Sequence, residues 1–84
     1  MNSLTVTNGY VGDLPGLGRI RKLESLSEKR ITKAVRAKLR LEYGDENVCV
    51  ACKAILCEKG WRGRCTIDAE EFGYIVSSKT IHIR

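Results

Sequence analysis

The stretch VCVACKAILCEKGWRGRC, Val48 to Cys65, holds all four cysteines and the single tryptophan, and its reading decides the fold. Val48–Cys57 is apolar on both alternating faces and broken only by Lys53, the pattern of a central strand. Lys59-Gly60 reads as a turn, and Trp61–Ile67 returns as a second strand. Downstream, Asp68-Ala69-Glu70-Glu71 is an acidic connection and Phe72–Val76 a third strand. Ser77-Ser78-Lys79 turns the chain into Thr80–Arg84, with Ile81 and Ile83 facing inward.

Upstream the period changes to that of a helix. Ser25 with Glu28 three residues on has the form of a capping box, Gly44 supplies a left-handed stop, and Gly44–Asn47 is a polar turn. Between them Ile31, Ala34, Val35, Leu39 and Leu41 form an apolar side, with Lys38 and Glu42 falling near its middle. LPGLGR, residues 14–19, is a Pro/Gly loop. Asn8-Gly9 predicts a hairpin joining Leu4–Thr7 to Tyr10–Asp13, since both turn positions want positive φ. The expected fold is α+β: one amphipathic helix packed on a mostly antiparallel β-sheet of about four to five strands. Residues 1–84 form a single small basic domain, because 84 residues do not suffice for a second core.

With 43% hydrophobic and 30% charged residues the chain is neither disordered nor membrane-spanning. MNSLTVTNGYVGDL has no basic segment followed by a long apolar one, so no signal peptide is expected; a reducing, cytoplasmic setting follows.

The cysteines are spaced C-x2-C-x4-C-x7-C: Cys49, Cys52, Cys57 and Cys65. This resembles a zinc knuckle, C-x2-C-x4-H-x4-C, with Cys57 in the histidine position and a longer last gap. The resemblance implies a zinc ion on these four residues. In a regular strand, however, Cys49 and Cys52 point to opposite faces, so zinc requires the strand to break there. A disulfide between Cys57 and Cys65 across the hairpin is the other alternative. The reading adopted is free thiols acting as small hydrophobes among apolar neighbours, with no cofactor.

Charge is uneven. Nine of the fifteen basic residues lie between Arg19 and Arg40, opposed by Glu24 and Glu28 alone, so this segment carries +7 and the remainder −2. Lys29, Lys33, Arg36 and Arg40 step by four, three and four residues into one stripe opposite Ile31 and Val35, with Arg30 beside it. Helix faces that are merely solvated usually mix signs, because like charges at this spacing repel by a few tenths of a kcal/mol per pair. A uniformly cationic stripe therefore points to a polyanion.

Arg19, Arg21 and Lys22 would extend the path. Trp61 among Lys59, Arg62 and Arg64 would either stack on a base or fold back into the core, leaving Arg62 and Arg64 as a second small basic patch. Leu14-Pro15-Gly16-Leu17-Gly18-Arg19 resembles the hairpin of the helix-hairpin-helix family. That resemblance implies a phosphate clamp at Gly16, Leu17 and Gly18, flanked by Arg19 and Lys22. The family has a helix before the hairpin, where this chain has TVTNGYVG, and Ala where it has Lys22.

Catalytic candidates are thin. His82, the only histidine, is expected to face outward on an edge strand, and Asp68, Glu70 and Glu71 lie in a connection. The sequence thus leads to a non-enzymatic nucleic-acid-binding or nucleoprotein-associated module. The alternative is a small protein-binding inhibitor or adaptor of phage or mobile-element type, anti-defence-like, docking on a host protein or nucleoprotein complex.

Overall fold

The structure, a computed structural model, describes residues 9, 11–14, 26–58 and 60–84, with only the backbone of Cys52. The strands are β1 (Val11–Asp13), β2 (Val48–Cys57), β3 (Gly60–Ile67), β4 (Glu70–Ser77) and β5 (Thr80–Ile83), and the helix is α1 (Glu28–Tyr43). They form a five-stranded sheet in the order β1-β5-β4-β3-β2, with every neighbouring pair antiparallel. The fold class is as expected: α+β, with one helix on an antiparallel sheet.

Three tight turns build the β2–β5 meander. Asp68 and Ala69 both take positive φ, 52° and 66°, so a primed hairpin turn is made here without glycine. The acidic connection is therefore two residues long, and Glu70 and Glu71 belong to β4. Ser78, φ 53°, turns β4 into β5. Gly9 has φ +94°, in keeping with a turn, and its N–H donates to the Ile83 carbonyl at 2.6 Å. The Tyr10–Asp13 arm of the expected N-terminal hairpin is represented by β1, which pairs with β5; the Leu4–Thr7 arm lies outside the described residues.

One face of the sheet buries Val48, Val50, Ala54, Trp61, Cys65, Ile67, Tyr74, Val76, Ile81 and Ile83. Against it α1 presents Ile31, Thr32, Ala34, Val35 and Leu39, all buried. Thr32 is accommodated because its hydroxyl donates to the Lys29 carbonyl at 3.1 Å. Leu41 departs from expectation: it is 86% exposed. It lies at the margin of the buried arc, in the last turn, where Lys38 and Glu42 take the inner positions and pair at 3.5 Å.

The helix begins later than a Ser25 box would place it. Ser27 is the N-cap, and its side chain accepts from the Arg30 N–H. Glu28 thereby turns away from the helix end, and its Oε2 accepts the Ala54 N–H at 2.9 Å. Gly44 ends the helix at φ 98°, ψ 141°, a conformation open to glycine though outside the left-handed helical well, and its N–H closes on the Arg40 carbonyl.

The reading of β2 as a central strand is corrected: among the described residues it is an edge. Its apolar run consists largely of small residues, and Cys49, Ala51 and Ile55 face outward and exposed. Between Val50↔Cys65 and Ala54↔Gly63, three residues (51–53) oppose Arg64 alone, a bulge of two extra residues. Bulge, Lys53 and the Glu28 cap on Ala54 together obstruct pairing by another strand, which is how edges are kept from aggregating. Likewise β5, expected at the edge, lies between β1 and β4.

Candidate nucleic-acid interface

Because α1 buries the side centred on Ile31 and Val35, the residues half a turn away must face out. Lys29, Arg30, Lys33 and Arg40 are exposed and Arg36 is half-buried beside Thr32. Among the described residues none of these five has an ion-pair partner; the pairs formed are Lys38–Glu42 and Arg64–Glu71. Between Arg30 and Lys33 a shallow depression is lined by Ala34 and Ala37, so the two cations stand above small side chains. Ser27 holds the first turn of this face and Arg40 complements the negative C-terminal end of the helix.

Arg36 is near enough to Tyr74 to act on its phenol. Tyr74 is 1% exposed, and its hydroxyl has no hydrogen-bond partner among the described residues. Burial pushes the Tyr74 phenol up to about 12, with Cys65 and Glu28 adding to the shift and Arg36 opposing it. Burial likewise raises the Cys65 thiol to about 11. Both are protonated core groups at neutral pH.

Trp61 does not offer a stacking face. It is the first inward position of β3 after Gly60, opposite Val76 and Leu56, and is 7% exposed. Odd-numbered β3 residues point inward, so Arg62 and Arg64 point out and are exposed. Arg64 is partly neutralised by Glu71 at 3.0 Å, a surface pair of small strength. These two arginines lie on the sheet's outer face, away from the helix stripe. Sequence reasoning missed Lys53, exposed on that same face; its break in an apolar strand was the available signal. Arg19, Arg21 and Lys22, with the clamp at Gly16, Leu17 and Gly18, lie outside the described residues.

Cys49 is exposed on the outer face of β2 and Cys65 is buried on the inner face, so these two do not share one ion. Nor is Cys57 placed for a disulfide with Cys65: it opposes Gly60, whereas Cys65 opposes Val50, and both thiols are free. His82 faces outward in a cross-strand row with Val11 and Ile75, removed from both cysteines.

No helix among the described residues is long and apolar enough to cross a membrane. No protein-family model, no curated protein and no solved structure matches the chain.

Proposed function

We propose that this protein is a non-enzymatic, cytoplasmic nucleic-acid-binding or nucleoprotein-associated module. One observation carries the reading: Lys29, Arg30, Lys33 and Arg40 stand exposed on one side of α1 with no carboxylate partner among the described residues. Such a stripe neutralises phosphates and releases counterions. Four to five contacts imply a slope of about −4 in log affinity against log salt on duplex DNA, and affinity in roughly the micromolar range without base specificity. Phosphate contacts position a protein without reading sequence, and Trp61, being core, adds no stacking.

The test is fluorescence anisotropy with labelled single- and double-stranded oligonucleotides at low salt. Binding that is insensitive to base sequence is expected; absence of binding at low salt ends this reading. A second reading is the adaptor or inhibitor that docks on a protein, the cationic helix face then meeting an acidic groove. A stoichiometric protein partner retained after nuclease treatment would support it.

A further inference from the structure

The sheet face turned away from α1 carries a second cationic surface, built differently from the first. Along β3 and β2 it presents Arg62, Arg64 and Lys53, all exposed. They surround a shallow groove that also reaches Ala51, Ile55 and Gly73. Gly73 opposes Arg64 in the register and sits in the interior of β4, where glycine weakens a strand. Nothing among the described residues requires it: a Cβ there would meet only the Gly63 carbonyl oxygen, at 3.9 Å, and its φ is not in the glycine-favouring region. Such a glycine, at the bottom of a groove flanked by three cations, leaves room for a ligand to lie against the backbone. Glu71 engages Arg64, while Lys53 and Arg62 have no ion-pair partner among the described residues.

We infer that this groove takes a second sugar–phosphate backbone, so that one chain holds two nucleic-acid segments, one on the helix stripe and one on the sheet. The inference rests on the proposed function and extends it from binding to bridging. Charge decides the occupant. A second copy of the same face would set Lys53 and Arg62 against their own counterparts, whereas phosphates supply the opposite sign along a continuous line. Ile55, 59% exposed at the groove's end, offers apolar contact to a sugar edge. The two surfaces look in opposite directions because α1 lies on the inner face of the sheet. A 20-base-pair duplex is far shorter than the persistence length of DNA and does not fold around to reach both.

The experiment captures one biotinylated 20-base-pair duplex on beads and measures retention of a second, fluorescent duplex at low salt. The parent chain retains it, and native mass spectrometry in duplex excess shows two duplexes per chain. In Lys53→Glu/Arg62→Glu, co-capture falls by roughly tenfold while single-duplex anisotropy changes less than about threefold. Gly73→Val, which fills the groove without touching the core, lowers co-capture in the same way. One duplex per chain overturns the inference and leaves the helix reading standing. The same holds if co-capture persists in both sheet variants, as a dimer bridging through two helices would give, or if the sheet face holds a protein instead. Failure of the parent to bind any duplex overturns both.

Discussion

Gly63 is the position where the packing is most sharply testable. It opposes Tyr74 across β3 and β4, and the tyrosine ring lies over it. A Cβ on Gly63 would stand 2.5 Å from Tyr74 Oη, 2.7 Å from Cζ and 3.0 Å from Cε2. Those are separations that no rotamer of alanine relieves, and Tyr74, 1% exposed, has no open side to retreat to. Gly63→Ala therefore overpacks the core, at about 1–3 kcal/mol. For a domain of this size that lowers Tm by about 4–8 °C per kcal/mol.

Gly73→Ala on the neighbouring strand is the control. Its Cβ is unobstructed, and replacing a mid-strand glycine should be neutral or stabilise by about 0.5 kcal/mol. Tyr74→Phe removes the hydroxyl nearest to the new methyl and the unpartnered buried oxygen with it, so it should be near neutral alone and recover part of the Gly63→Ala loss. Paired thermal and urea unfolding of the four variants measures this. The reasoning fails if Gly63→Ala lies within about 0.5 kcal/mol of the parent, or if Gly73→Ala is equally harmful.

Four further outcomes are expected. Ser27→Ala should lower stability by about 1 kcal/mol through loss of the cap, and Glu28→Ala by about 1–3 kcal/mol because the Ala54 N–H loses its charged acceptor; equal urea midpoints for parent and Glu28→Ala would deny that link. Alkali should unfold the protein progressively. An unfolded thiol ionises near 9 and an unfolded phenol near 10, but burial holds Cys65 to about 11 and Tyr74 to about 12. The unfolded chain thus releases protons first, and stability, full below pH 9, falls through pH 9–12 by up to about 1.4 kcal/mol per pH unit per group. A urea midpoint unchanged from pH 8 to 11.5 would contradict this. Peptide mapping after brief maleimide treatment should find Cys49 labelled in the native protein and Cys65 labelled only in denaturant; native labelling of Cys65 would show that it is not a core residue.

Local alternation was enough to read β3 and β5, because Trp61, Cys65 and Ile67, and again Ile81 and Ile83, mark one face at period two. The helix was equally legible, and its period places Lys29, Lys33 and Arg40 outward, whereas Arg36, expected in the same row, is half-buried. What escaped depends on distant partners. Whether β2 is central or an edge is set by which strand lies beside it, and its run of cysteines and alanines mimics a doubly buried strand. Pairing of β1 with β5 joins residues nearly a chain length apart, beyond any local pattern. Ser27 rather than Ser25 caps α1, and Glu28 serves Ala54 instead of a capping box, a contact visible only after folding. Lys53 and Gly73 were overlooked for the same reason: their shared groove exists only once β2, β3 and β4 are side by side.

The salt dependence of duplex binding by the parent and by Lys29→Gln/Lys33→Gln/Arg40→Gln tests the central claim most directly. Glutamine keeps helix propensity, and the like-charge repulsion it relieves is offset by the lost Arg40 interaction with the helix C-terminus, so the variant should stay folded with stability within about 1 kcal/mol of the parent. Its slope of log Kd against log salt should be shallower by about 2 to 3, one phosphate contact per lost charge. An unchanged slope in a folded variant, or a parent that binds no duplex at low salt, would contradict the account.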